Sequence, residues 1–423
     1  MFIQIHALQS FPPGNLNRDD QGHPKSALFG GVTRGRISSQ CMKRHMRRSE
    51  AFAALQNGVA SRTRRLPMLV GEALKARGVA GFDAAVISRI ETRIAAAFKK
   101  ESGDAAAEAS DDGIQTGQLV FFPQSFVDDI ATLIADTARQ DRDALMAWLD
   151  GGAKKDKAPK KGEKSEADGK KPEKTSELGK AIQEASRLIT IDIGMFGRMT
   201  TSDLVDDVEA ACQVAHAIST HEVRIERDYF TAMDDLATTK GAGYIGGGDN
   251  STYFNSAVYY RYLNLDLAQL HRNVRLAGKK GASGMLSDAD VADAACALLN
   301  AAVYAGPTAK QNNFAAHSVP EFLVCEMSSR RQPLSYANAF LEAVDLGGDG
   351  SVMSRSAARL RRYVNEVAVR FEPSDLRRFA LALGDAACPK DDMLAGATMV
   401  ERYSDLERVM REGIASGVGA GAR

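Results

Sequence analysis

The chain has 423 residues, with 54 Lys+Arg against 54 Asp+Glu and a formal net charge of zero. That length accommodates one large core or two to three modules, and the balance excludes a globally basic nucleic-acid binder: such a surface must be a local patch. Five scattered cysteines (Cys41, Cys212, Cys296, Cys325, Cys388) without a CxxC argue against a disulfide framework or zinc site, and no apolar run reaches membrane-spanning length; the expectation is a cytoplasmic protein with no leader and no membrane segment.

Residues 2–8 place Gln4 and His6 among apolar and β-branched side chains, the pattern of a first strand that Pro12–Pro13 should end. His6 has no partner at ligand spacing and reads as structural. The next loop carries Arg18, Asp19 and Asp20. No further Asp, Glu or His sits at ligand spacing around those carboxylates, so no metal is expected. After Gly30–Gly31 come Arg34, Arg36, Lys43, Arg44, Arg47 and Arg48. Ser38 and Ser39 are N-cap types, so the second half of this run reads as a capped basic helix. Lys43/Arg47 and Arg44/Arg48 are like-charged i,i+4 pairs, each costing about 0.2–0.5 kcal/mol in an isolated helix. An anionic partner would relieve that repulsion; the alternative is a solvated basic face.

Residues 50–150 read as helical, with Trp148 packing a helix face and Arg62, Arg64 and Arg65 marking a basic helix end. From 151 to 175, Lys, Gly, Pro, Glu, Asp and Ser displace large apolar residues, and burial cannot offset the ordering entropy; a disordered insert is expected. Residues 188–195 read as a strand. Ser202 then reads as the cap of a helix through Leu204, Val208, Cys212 and Ile218. Asp203, Asp206, Asp207 and Glu209 in its first turns complement the helix dipole and imply no catalysis. His216 and His221 are five apart, the wrong spacing for two ligands on one helical face.

Residues 222–254 read as an extended, hairpin-forming stretch. The GxGxxG at 241–246 is followed by more glycines and a tyrosine-rich strand rather than a helix, which rules out a dinucleotide fingerprint and suits a hairpin tip. Residues 257–267 form the clearest strand, and its Tyr259–Tyr260–Arg261–Tyr262 block suits core packing better than base stacking. Ser287 and Asp290 open a capped Ala-rich helix, followed by a polar loop with Lys310 and Gln311. A strand at 321–327, a helix at 334–344, a basic helix from 351 and a final helix near 399–410 complete the expectation.

Several ordered strings carry a resemblance: LNRDD at 16–20, FGG at 29–31, RxRISSQxxKR at 34–44, GRMTTS at 197–202, DYFTAMDDL at 228–236, YYRYLNLDLAQL at 259–270 and PLSYANAFLEAV at 333–344. With these, the chain resembles the CasC family, the backbone subunit of the type I-E CRISPR surveillance complex Cascade, over about residues 1–50 and 187–345. The resemblance implies an α+β fold: a modified RRM/ferredoxin-like palm (1–50 and 186–345), helical fingers (51–185), a thumb hairpin (223–256) and a C-terminal helical region (346–423). It implies several copies along one CRISPR guide RNA in a helical filament, with other Cascade subunits and target DNA as partners and no cofactor. Carried over by position, Arg18, Lys25, Arg36, Ser38, Gln40, Lys43, Arg44, Arg47 and Lys310 would hold the RNA backbone. Arg198 and Met199 would sit at a kink, and Phe230, Thr231, Tyr244 and Ile245 would be thumb residues that wedge bases.

Two functions follow from the residues. Single-stranded RNA takes cations along its phosphates and apolar or aromatic groups between its bases. The basic loop–helix at 16–48 and the separate wedge candidates supply both, without catalysis. The alternative is a metal-dependent nuclease like the backbone subunits of type III complexes, using a loop aspartate, Asp19 or Asp20. No metal-ligand cluster or nucleophile–base arrangement accompanies it in the sequence.

Overall fold

A computed structural model describes residues 1–55, 58–98, 108–110, 113–123, 125–150, 177–186, 189–199, 207–229, 232–233, 242–243, 251–278, 287–371, 373–387 and 393–418. The lysine-rich insert at 151–175 and the thumb residues Phe230, Thr231, Tyr244 and Ile245 lie outside those residues. The chain begins β1 (Phe2–Gly14), β2 (Ser26–Phe29), β3 (Val32–Ile37), α1 (Ser39–Arg47), α2 (Glu50–Ala53). It continues β4 (Ser61–Thr63), α3 (Leu66–Ala76), α4 (Ala84–Ala97), β5 (Glu108–Ser110), β6 (Gly113–Gln115), β7 (Val120–Phe122), α5 (Ser125–Gln140), α6 (Arg142–Asp150), α7 (Glu177–Ser186), α8 (Ile191–Phe196). Then come β8 (Cys212–Val214), β9 (Ala217–Ser219), β10 (Glu226–Tyr229), β11 (Ala232–Met233), β12 (Ala242–Gly243), β13 (Ser251–Asp266), α9 (Leu267–Gly278), α10 (Asp288–Tyr304). The last elements are α11 (Gln311–Phe314), β14 (Phe322–Ser328), α12 (Val352–Phe371), β15 (Arg377–Ala382), β16 (Ala397–Met399) and α13 (Tyr403–Val418).

Two compact units result, one from residues 1–55, 211–271 and 287–423, the other from 56–210 and 272–286. The first is built on a sheet in the order β16-β15-β14-β1-β13-β9-β3-β2. β1 lies antiparallel between β13 and β14. Its alternate residues feed two cores. On one face Leu8 joins Val258, Tyr260, Phe322 and Val324 against Ala357, Leu360 and Val364 of α12. On the other, Ile5, Ala7 and Leu263 meet Met42 and Met46 of α1 and Ala302 of α10. The tyrosine block is core: Tyr259 and Tyr260 are 1–2% exposed. The second unit is mainly helical, with Leu74, Ile90, Phe126, Ile134 and Trp148 in one cluster.

The local pattern misleads where long-range pairing takes over. β1 runs through Pro12 and Pro13 to Gly14, with a register shift after Phe11; at such an irregularity no ladder N–H is required of proline. The helix expected from Ser202 to Ile218 is not there. Residues 200–206 lie outside the described set, Val208 bridges Arg198, and Cys212–Val214 and Ala217–Ser219 are strands paired with β13. The strand expected at 188–195 is instead α8, where the Asp192 carboxylate accepts from the amides of Ala60 (3.0 Å) and Ile193 (2.9 Å). The helix expected at 334–344 shrinks to a 3-10 turn, Ala337–Phe340, whose end carbonyls are taken by Arg34. The C-terminal region, expected to be helical, adds β15 and β16 to the sheet, and its last helix starts at Tyr403, past Met399. Four short strands, β4 to β7, interrupt the helical region before 150. Leu267, expected on a strand face, opens α9.

Candidate nucleic-acid interface

The basic stretch divides into groups with opposite fates. In α1, Ser38 accepts from the Cys41 amide at 3.3 Å and caps the helix, while Met42 and Met46 are buried. Helical spacing therefore turns Lys43, Arg44 and Arg47 away from the sheet, and all three are half-buried or exposed. Gln40 is also exposed, whereas Ser38 is 6% exposed and spent on the cap.

Arg34 goes inward. It is fully buried, donating to the carbonyls of Ser219 (2.9 Å) and Phe340 (2.8 Å). Burial, and then Arg359, lowers its pKa. The tight Gly30–Gly31 turn closing β2 and β3 has both residues at positive φ, as a type I′ hairpin turn requires. A Cβ on Gly30 would lie 1.5 Å from the Leu341 carbonyl oxygen. Arg34 and Gly30 thus fix the hairpin from which Lys25 and Arg36 project.

The loop before β2 is held by its own polar groups. Asp19 Oδ1 accepts from the amides of Gln21 (3.0 Å) and His23 (2.8 Å). Asn17 Oδ1 accepts from the Ser38 amide at 2.9 Å, its carbonyl accepts from the Lys25 amide at 2.8 Å, and the Arg36 amide donates to Lys25 O at 2.9 Å. Arg18 is exposed and bridges Pro24 through its backbone. Loop, β3 and helix cap are therefore one hydrogen-bonded piece. Arg36 extends toward the carbonyl of Ser26 (3.3 Å) and the Nδ1 of His216 (3.4 Å). Among the described residues no carboxylate pairs with Arg18, Lys25, Arg36, Lys43 or Arg44. The titratable neighbours register the resulting field. Burial, then Arg36 and Lys25, lowers the pKa of His216. Burial, then Arg44 and Arg48, lowers that of His45.

Beside this surface β10 pairs with residues 251–254 in a ribbon continuing past the Gly14 end of β1. Directly paired residues share a face. One face carries Arg227, Tyr229 and Tyr253, the other Glu226, Asp228 and Phe254. His23 packs edge-on against Tyr253 at 4.2 Å and Phe314 lies 5.7 Å from Phe254, so loops from both ends of the sequence grip opposite sides of the ribbon. Phe314 belongs to α11, flanked by Lys310 and Ala315 in left-handed conformation. Such non-glycine backbone costs on the order of 1 kcal/mol or more per residue, and it sets Lys310 beside the ribbon's base. Tyr229, 66% exposed, was missed by sequence reasoning. Its position next to Phe230 and its alternation with Arg227 were the available signals.

Arg198 and Met199 lie in the second unit. Gly197 at φ +82° opens the bridge between Arg198 and Val208; Arg198 is 3% exposed and Met199 87% exposed. Among the described residues no group of His, Cys, Asp and Glu is arranged to hold a metal ion, and no helix is long and apolar enough to cross a membrane.

Fold and surface together define a mixed α+β protein with a large antiparallel-dominated sheet, one helix turning a basic face outward and a ribbon projecting beside it. The chain belongs to the CT1975-like protein family, whose model matches residues 3–406. It is similar to a chain from a CRISPR RNA-guided surveillance complex, pre-nicking, at 28% identity over 98% of this chain and 100% of that one, with a TM-score of 0.75. A chain of another CRISPR RNA-guided surveillance complex shares the fold at 24% identity, with TM-score 0.67 and coverage of 98% and 100%. No curated protein matches.

Proposed function

We propose that the chain is a non-catalytic backbone subunit of a CRISPR surveillance complex, of the CasC, type I-E kind, that several copies bind along one guide RNA without regard to sequence, and that they present it to target DNA alongside other Cascade subunits. The observation that carries this is the surface at 18–47, where Arg18, Lys25, Arg36, Lys43 and Arg44 have no carboxylate partners among the described residues although the chain is neutral overall. A solvated face would be expected to interleave both signs; a phosphate chain supplies the missing one. Arg18, Lys25, Arg36, Gln40, Lys43, Arg44, Arg47 and Lys310 contact RNA backbone, Ser38 acts by capping α1, and Arg198–Met199 with the ribbon and its tip shape the RNA. The strand order β14-β1-β13-β9, with α1 and α10 on one face, supports an RRM-like palm, with fingers at 51–185 and a thumb at 223–256. Similarity to chains of RNA-guided surveillance complexes supports guide RNA as the ligand.

The nuclease reading would use Asp19 or Asp20. Asp19 is committed to the amides of Gln21 and His23, which favours a loop-building role. Co-purification tests the proposal: wild-type chain should retain guide RNA, and Lys43→Glu/Arg47→Glu should lose it at moderate salt while keeping wild-type circular dichroism. Full-length guide RNA recovered with the folded double variant would sink the assignment. Added magnesium and complementary RNA separate the second reading, since regular cleavage lost on Asp19→Ala would replace the first.

A further inference from the structure

The basic surface carries an exposed histidine against one of its arginines. His216 lies one residue before β9, whose Ala217 and Ile218 pair with Ile37 and Arg36 of β3. Extended by one step, that register sets His216 alongside Ser38, the cap of α1, and on the same face as Arg36. The side chain is exposed, and its Nδ1 lies 3.4 Å from Arg36 Nη1. A guanidinium has only N–H donors, so the ring nitrogen facing it must offer a lone pair. Without a ligand His216 is therefore the neutral imidazole, with its proton on Nε2.

The titratable groups around it are all cationic or neutral. Arg36 faces it from β3 and Lys25 from the loop before β2; burial, then these two cations, keeps its pKa below the ordinary histidine value. α1, which starts beside it, has no acid in its first turn and carries Cys41, Lys43, Arg44, His45 and Arg47. Burial raises the pKa of Cys41 and lowers that of His45, so neither adds negative charge. β8 and β9 contribute only the buried Cys212, whose thiol burial pushes up to about 12. On β13 behind them, burial pushes the Tyr259 and Tyr262 hydroxyls up to about 12 and leaves Arg261, lowered to about 10, a cation at neutral pH. Among the described residues no carboxylate pairs with His216.

A phosphate seated between Arg36 and His216 reverses that balance. It accepts the guanidinium N–H that points at Nδ1 and leaves Nδ1 facing an anion. A proton from solvent then binds Nδ1, and imidazolium and guanidinium both donate to phosphate oxygens in charge-assisted hydrogen bonds. No covalent bond of the RNA changes, and the complex gains one proton.

We infer that His216 is a further ligand of the RNA phosphate backbone, shared with Arg36, and that it takes up a proton when RNA binds. The inference rests on the reading of the 18–47 surface as the RNA site, and adds proton linkage to it. By reciprocity, RNA that raises the proton affinity of His216 is itself held more tightly as pH falls, by up to about tenfold per pH unit for one proton.

The test is RNA affinity against pH for wild type, His216→Gln and His216→Lys, each checked for folding by circular dichroism. The probe is a short oligouridylate long enough for one copy, since uracil has no group that protonates in this range. From about pH 8 to pH 5.5 wild type should tighten by about fivefold or more, and His216→Gln, whose side chain cannot charge, by less than about twofold. His216→Lys carries a permanent charge, so it should lose the pH dependence as well, while binding more tightly than His216→Gln at pH 8. Calorimetry near pH 6.5 in two buffers of different ionisation enthalpy counts the protons, and wild type should take up more of them than either variant. A wild-type pH profile parallel to that of either folded variant overturns the inference, as does equal proton uptake. Wild type that binds no RNA at any pH overturns the backbone reading itself.

Discussion

Replacing Lys43 and Arg47 by alanine gives a quantitative test of the basic surface. Both lie on the side of α1 away from the buried Met42 and Met46, so the double variant should fold. Binding to single-stranded nucleic acid weakens with salt by about 0.7 logarithmic units per phosphate neutralised. If Arg18, Lys25, Arg36, Lys43, Arg44, Arg47 and Lys310 each meet a phosphate, log K against log salt should have a slope of about −5 for wild type and about −3.5 for the double variant. A rise from 50 to 200 mM salt then weakens wild type about a thousandfold and the variant about a hundredfold. Fluorescence anisotropy on a labelled single-stranded RNA, with equal-length RNAs of different sequence as controls, measures both slopes. Parallel slopes would refute the phosphate assignment for α1. A slope change that depends on RNA sequence would refute sequence-independent backbone contact.

Arg34→Met should behave in the opposite way. It leaves the carbonyls of Ser219 and Phe340 without their buried donor, at about 1–3 kcal/mol for each unsatisfied group. The midpoint of chemical unfolding should fall, while the salt slope for RNA, measured where the variant is folded, stays at the wild-type value; a reduced slope would place Arg34 on the RNA. Acid stability reports on the buried Glu326. It accepts from Arg378 Nε at 2.7 Å and Tyr336 OH at 2.9 Å. Burial opposes its ionisation, but His6 and Arg378 prevail and bring its pKa down to about 2. A depressed carboxylate stabilises the fold above its unfolded pKa of about 4.3, and that contribution is lost as pH falls toward 2. Wild-type stability should therefore drop between about pH 4.5 and 2 by more than that of Glu326→Gln, and equal slopes would contradict the assignment.

Much of the candidate site was legible because its signals are local. The Ser38 cap and the Gly30–Gly31 pair each specify their own geometry within a few residues; the inward Met42 and Met46 carried the same local signal but were missed by sequence reasoning. Sequence could not show that Arg34 and Arg36, two residues apart on one strand, have different fates. Arg34 is claimed by Ser219 and Phe340, carbonyls far along the chain. The same remoteness explains the misread helix after Ser202: apolar residues at 211, 212, 215 and 218 fit a helical period, but β13 offers a ladder to Cys212–Val214 and Ala217–Ser219. Tertiary pairing outweighs a weak local preference. The ribbon's two faces were also hidden, since the register of Arg227 with Tyr253 and of Glu226 with Phe254 decides which side chains stand together.

The central claim is that the chain is a repeated backbone holding guide RNA on its α1 surface. Cryo-electron microscopy of the complex co-expressed with guide RNA tests it directly. The account predicts several copies along one RNA, with RNA density against Lys25, Lys43 and Arg44 in each. A complex containing one copy, or one in which that surface faces solvent or protein while RNA runs elsewhere, would contradict it.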